Sequence, residues 1–299
     1  MSFNEGVSSD SSRVRSSGGR RAAGIGGGGV LAAIAVFLIA QFTGVDLSGI
    51  LGTTTQTTGD TATSSGVDLS KCGGGAAANK YTECRMVTTA DSLDVVWTDQ
   101  LASQNTGVAY KLPEFQIFQD SISTGCGSAT SAVGPFYCPT DQTVYLDLAF
   151  FQQMETDYGA VDAPLAQEYV VAHEWGHHIQ NLLGTFSAHN SQEQGAQGDS
   201  VRMELQADCY AGIWMHWAST TIDPDSGQAF LVTPTQDQIA TALATAQAIG
   251  DDRLQQKYQG TTNAESWTHG SSAQRQRWLT TGLRAGSINQ CDTFSARTV

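Results

Sequence analysis

The chain has 299 residues, of which 15% are charged and 40% hydrophobic, with 32 glycines against 6 prolines. This excludes a collagen-like repeat and a proline-rich disordered chain, and it leaves ample length for a buried core. The formal charge of −14 is uneven: residues 1–42 carry a net +2 and the remainder a net −16, a surface that repels phosphate backbones and argues against nucleic-acid binding.

In chain order, residues 1–21 form a Ser/Gly/Arg segment expected to be a disordered, basic cytoplasmic tail. Residues 22–42, AAGIGGGGVLAAIAVFLIAQF, carry no charge over 21 positions, just enough to span a bilayer core. A cleaved signal peptide competes with that reading, but no A-x-A site follows Phe42, so an uncleaved transmembrane signal anchor is expected. Because Arg13, Arg15, Arg20 and Arg21 precede it, the positive-inside rule predicts a single-pass membrane protein. Its N-terminus would be cytoplasmic and its body extracytoplasmic, in the cell envelope. Residues 43–70, centred on TTTQTTGDTATSSG, read as a flexible linker, and residues 71–299 as the folded domain.

All six cysteines follow the apolar stretch, which suits an oxidising compartment. Their spacing leaves the connectivity open; local pairs Cys72–Cys84 and Cys126–Cys138 would leave Cys209 with Cys291. No C-x-x-C pair argues for a cysteine zinc site.

Leu93, Val96, Trp97 and Leu101 recur at helical spacing, with Asp91 placed to cap. FQIF at 115–118 and TVYLD at 143–147 read as strands, and the Gly/Ser-rich stretch between them as a loop pinned by Cys126 and Cys138. A long helix spans 164–183, opened by Pro164 and stopped by Gly184. Further helices fit 200–218, 235–249 and 271–285. The fold class is α+β: a helix-rich domain with a small sheet, preceded by one transmembrane helix and a flexible stalk.

The long helix contains His173, Glu174 and His177, an H-E-x-x-H motif. At 3.6 residues per turn the two histidines share a face and converge on one ion, while Glu174, rotated by about 100°, is placed to act on water rather than to ligate. Chance alone produces the motif in about 0.4% of sequences of this composition, and otherwise the helix would be a surface helix with incidental histidines. A catalytic zinc site needs a third protein ligand. The extended motif with a third histidine fails, because Gln180 and Leu183 occupy its glycine and histidine places. The next helix offers Glu204 and Asp208 at i, i+4. Glu204 would complete a His2Glu zinc site, and Asp208 would hold the free ring nitrogen of a ligand histidine. His178, His189 and His216 are rival ligands better read as structural or surface histidines. His269 is the first choice for an oxyanion donor, ahead of Tyr258 and Tyr210; Asp251 and Asp252 receive no role.

The segments GCGSATSAVGPFYCP, EYVVAHEWGHHIQNLLG, SVRMELQADCYAGIW, AQAIGDDRLQQ and THGSSAQRQRW, in that order, closely resemble the putative neutral zinc metallopeptidase family (YpfJ type). The likeness runs from about residue 108 to 296, and GVDLSGIL also resembles the family's membrane-proximal stretch. The resemblance implies a zincin-like metallopeptidase domain with one N-terminal anchor. It points to His173 and His177 as ligands, Glu174 as base and Glu204 as third ligand, and its cysteine pattern matches Cys126, Cys138, Cys209 and Cys291, with Cys72 and Cys84 additional. The expected function is a membrane-anchored zinc (Zn2+) metallopeptidase that hydrolyses peptide or protein substrates, with water activated by zinc and deprotonated by Glu174. The alternatives are a membrane-tethered scaffold with a catalytically silent zinc site and a purely structural metal site.

Overall fold

The computed structural model describes residues 2–18 and 66–299. A four-stranded sheet is built from β1 (Val14–Ser17), β2 (Glu114–Phe118), β5 (Phe136–Cys138) and β6 (Thr143–Asp147), in the order β1-β2-β6-β5. The β1–β2 and β2–β6 pairs are parallel; β5 joins antiparallel, with Tyr137 opposite Val144. A hairpin of β3 (Ser121–Thr124) and β4 (Gly127–Thr130) stands apart. The helices are α1 (Thr82–Ser103), α2 (Ala149–Tyr158), α3 (Pro164–Leu182), α4 (Asp199–Trp217), α5 (Gln236–Ala248), α6 (Asp251–Gln259) and α7 (Ser272–Ala285). Single helical turns cover Gly75–Ala78 and Thr185–Ala188. This is a mixed α+β fold.

Helix α3 is central: every residue from Leu165 to Gln180 is buried. Pro164 opens it with no N–H to leave unpaired, and Gly184, at φ +80°, turns the chain away beyond its end. α3 packs on α4 at Gly176, where an added Cβ would lie 2.8 Å from the Ala207 carbonyl oxygen, so the two backbones approach as only glycine permits. Gly282 of α7 plays the same part against Cys209 of α4. Trp97, Trp175 and Trp214 fill the fully buried core around these crossings. Disulfides join Cys72–Cys84, Cys126–Cys138 and Cys209–Cys291, the pairing that proximity suggests.

The N-terminal residues depart from expectation. Over residues 2–18 the anticipated disordered tail is part of the body. Phe3, Val7 and Val14 are buried, and β1 adds to the sheet beside β2. The Asp10 N–H donates to Asp91 at 3.0 Å, and the Arg13 Nε lies 2.8 Å from Asp94. Asp91 therefore does not cap a helix; α1 starts at Thr82, and the mid-helix carboxylate anchors the incoming segment. Asp94 also accepts from Trp175 Nε1 at 3.2 Å and from the Tyr110 hydroxyl, which ties the N-terminal segment to α3.

These contacts overturn the predicted localisation. Among the described residues no helix is long and apolar enough to cross a membrane, and the apolar stretch 22–42 lies outside the described residues. A single crossing there would set residues 2–18 and 66–299 on opposite sides of a hydrocarbon core about 30 Å thick, yet Arg13 and Asp94 are in contact. A cytoplasmic N-terminus with an extracytoplasmic body is incompatible with that packing.

Burial, with Asp94 and Asp10 nearby, pushes the Asp91 carboxyl up to about 7. A raised acid contributes stability that is complete below its unfolded pKa of about 4 and is lost as pH rises through 7. Asp91→Asn keeps an acceptor for the Asp10 N–H, and it should match the parent near pH 4 and exceed it in stability by at least about 1 kcal/mol at pH 8. Urea melts at the two pH values test this.

Candidate metal centre

His173 and His177 lie one turn apart on α3, their rings nearly perpendicular at 88° with centroids 4.8 Å apart. The close crossing at Gly176 lets α4 bring Glu204 between them. His173 Nε2 is 3.2 Å from Glu204 Oε2, and His177 Nε2 is 3.5 Å from Glu204 Oε1. All three residues are buried, and their ligand atoms lie within 4.8 Å of one another.

Each imidazole is held from behind. His173 Nδ1 lies 2.9 Å from Asp208 Oδ1. The same carboxylate accepts from Tyr169 Oη at 2.6 Å and from Arg275 Nε and Nη2 at 2.8 and 2.9 Å. His177 Nδ1 lies 2.9 Å from Gln180 Oε1. The Gln180 amide is itself oriented, because its Nε2 donates to the Met203 carbonyl at 2.7 Å and to Gln206 Oε1 at 3.0 Å. Asp208 and Gln180 thus present acceptors to both Nδ1 atoms, which keeps the proton there and turns the Nε2 lone pairs toward Glu204. Two imidazole Nε2 atoms and one carboxylate, buried and braced, fit the donor set that zinc takes in a site with an open position.

The electrostatics agree. Burial would raise the Glu204 carboxyl, but imidazoles protonated at Nε2 outweigh it through the His177 charge and hydrogen bonds from both rings and hold it well below its ordinary range; a bound cation would take the place of those Nε2 protons. Burial also opposes ionisation of Asp208, and Arg275, then His173, bring its pKa down to about 2. Glu174, buried beside the histidines, moves the other way: desolvation raises it, with His173 and His177 opposing.

His173, Glu174, His177, Glu204 and His269 line one cleft, with Arg275 and Tyr169. His269 Nδ1 is 3.3 Å from Asp251 Oδ1. The other Asp251 oxygen accepts the backbone N–H groups of Thr268, His269 and Gly270 at 2.8, 2.7 and 3.0 Å. Burial alone would lower the His269 pKa; Asp251 overrides this and raises it. Asp251, Gln180 and Arg275 were not singled out by sequence reasoning. Gln180 had a signal, three residues after His177 on the same helix face; Asp251 and Arg275 had none, since their partners are set by tertiary packing.

The other candidates lie elsewhere. The Tyr258 hydroxyl donates to the Asp157 carbonyl at 2.7 Å, and Tyr210 is buried edge-on to Trp97. His178 sits between Tyr137 Oη (3.0 Å) and the Lys111 carbonyl (2.6 Å); His189 stacks on Phe294; His216 meets the Leu283 carbonyl. Asp252 accepts from the Ser272 N–H at 2.8 Å, at the start of α7.

Two histidines and a glutamate on crossing helices, with a glutamate next to the first histidine, are the residue types that zinc-dependent hydrolases bring together. The chain belongs to the family described as "putative neutral zinc metallopeptidase", whose model matches residues 4–294. It is 40% identical over 292 residues to the uncharacterized protein YpfJ of Escherichia coli K12, covering 94% of each chain. It is 49% identical over 257 residues to an uncharacterized protein of Mycobacterium tuberculosis H37Rv, covering 86% of this chain and 85% of that one. No solved structure matches.

Asp208→Asn should weaken zinc binding by about 10–100-fold in a chelator competition. It should also cost about 3–5 kcal/mol in a urea melt, because the buried Arg275 loses its counter-charge. Unchanged zinc affinity would remove Asp208 from the support of His173.

Proposed function

We propose that this protein is a zincin-like zinc metallopeptidase that cleaves peptide bonds in peptide or protein substrates. The observation that carries this reading is the meeting of His173, His177 and Glu204 within 4.8 Å, with Glu174 lining the same cleft. His173, His177 and Glu204 would hold the ion. When bound, zinc supplies a Lewis acid for the scissile carbonyl and makes water a nucleophile near neutral pH.

The chain's own residues do the rest. Glu174 accepts the proton of the attacking water and delivers it to the departing amine nitrogen. Its placement in a buried cleft beside two imidazoles raises its basicity in the direction this exchange requires. His269 donates to the oxyanion that develops on the carbonyl oxygen. Asp251 favours the protonated ring and fixes Nδ1, which leaves Nε2 for the cleft.

An extended substrate gains main-chain hydrogen bonds by lying along a free strand edge. TVYLD offers no such edge, because β6 is flanked by β2 and β5. β5 ends the sheet order instead, and Val133 to Tyr137 line the cleft.

Glu174→Gln should retain zinc yet lose about 10²–10⁴-fold in peptide hydrolysis. His269→Asn should lower kcat by about 10²–10³-fold, with zinc content unchanged. Zinc analysis beside peptide turnover checks both, and proteolysis at the parent rate by Glu174→Gln would overturn the mechanism.

A further inference from the structure

The cleft does not end at the candidate metal ligands. Its cavity volume is about 140 Å³, and among the described residues its ionic lining consists of the metal cluster, Glu174, His269 and Arg275. The remaining lining is apolar or aromatic, and part of it converges from three helices. Val170 lies on α3, one turn before Glu174 and on the same face. Phe150 and Tyr158 come from α2, both under 10% exposed. Ile249 precedes α6, and Leu254 lies on it one turn after Asp251. The residue that orients His269 and a residue of this apolar wall therefore share a helix face.

The two helices are bound together at their far ends. Tyr258 Oη donates to the Asp157 carbonyl at 2.7 Å, and Lys257 Nζ donates to the same oxygen. The wall is thus held at both ends of α6: by the Asp251 contacts to residues 268–270 and by this clamp on α2.

We infer that the apolar wall of this cleft contributed by Phe150, Tyr158, Val170, Ile249 and Leu254 is its specificity pocket. It receives one large apolar side chain, leucine, methionine or phenylalanine, from the residue directly flanking the scissile bond. This deepens the peptidase reading above and rests on it. Size sets the limit: the whole cleft, metal cluster included, offers about 140 Å³, close to the roughly 150 Å³ of an apolar cavity that holds one benzene, so it takes no more than one large side chain. Chemistry supports the assignment. A charged side chain entering this wall would shed its water with no counter-charge among the five residues, whereas an apolar one gains by transfer. Continuity with Glu174 through Val170, and with His269 through α6, sets the pocket against the reacting bond.

The test uses the zinc-loaded full chain and a peptide library varied on both sides of the cleaved bond. Cleavage should favour Leu, Met or Phe on one side by at least about 10-fold over Ala, and by about 100-fold or more over Asp or Lys. Leu254→Arg, at a half-buried position, should reverse the ranking, losing the apolar preference and gaining Asp and Glu. Cleavage that ignores side-chain polarity at both flanking positions would overturn the pocket and leave the peptidase reading standing. Calorimetric titration of the zinc-loaded Glu174→Gln variant with Leu-, Ala- and Asp-containing versions of one peptide reads the pocket without turnover. An apolar ranking there, with no hydrolysis by the parent, would uphold the wall as an apolar side-chain site and sink the peptidase reading, and with it the tie to a scissile bond; indifference of binding would overturn the pocket outright.

Discussion

The closeness of α3 and α4 at Gly176 governs the rest of the molecule. Ala207 stands where any larger residue at 176 would push, and a Cβ there would already meet the Ala207 carbonyl at 2.8 Å. A wider crossing would draw Glu204 out of reach of both histidines, since its oxygens lie 3.2 and 3.5 Å from the two Nε2 atoms. The same separation sets the Asp208 contact with His173, one turn along α4. The candidate metal centre, assembled from two helices, thus depends on a glycine that never touches it.

Such a site must also settle its charges, because buried ions without partners cost several kcal/mol each. Glu174, Glu204 and Asp208, when ionised, bring three negative charges into the α3–α4–α7 crossing, and Arg275 supplies one positive charge. The neutral imidazoles add none. The balance of −2 suits a divalent cation, and the Asp251–His269 pair closes separately. Arg275 consequently has a structural part: its paired bonds to Asp208 keep that carboxylate ionised, and the carboxylate fixes the His173 tautomer. Tyr169, donating to Asp208 at 2.6 Å, completes the shell.

How much of this was legible depended on whether the information is local. The H-E-x-x-H spacing is a property of one helix, and Glu204 and Asp208 are one turn apart on another, so helical periodicity alone placed each pair on a face. Helix α3 itself was bounded by Pro164 and Gly184, whose backbone preferences act at their own positions. Asp251 carries no local signal, because adjacent aspartates at a helix start usually face solvent, and its task depends on the loop 268–270 folding back over it. Residues 2–18 are illegible for a similar reason. Their composition is polar, and what holds them is long-range: Val14 registers with Phe115 across a parallel ladder, and Arg13 pairs with Asp94. TVYLD shows the same limit, since its pattern marks a strand but not which neighbours cover its edges.

The N-terminal segment bears on more than topology. Asp94, which receives Arg13, also accepts from Trp175, the residue between Glu174 and Gly176. Trp175 is fully buried, meets the Phe115 ring edge-on at 5.4 Å, and has the Arg13 guanidinium 5.8 Å from its own ring centre. On a helix, the face opposite the histidines has to be held as firmly as the ligand face, or the ligands rotate with it. α4 supplies the ligand-side contact; β2 and the Arg13–Asp94 pair supply the other. Residues that composition alone would assign to a tail therefore fix the rotation of the helix that carries both histidines. Breaking the Arg13–Asp94 pair would loosen that hold on the helix, because both side chains meet at Trp175.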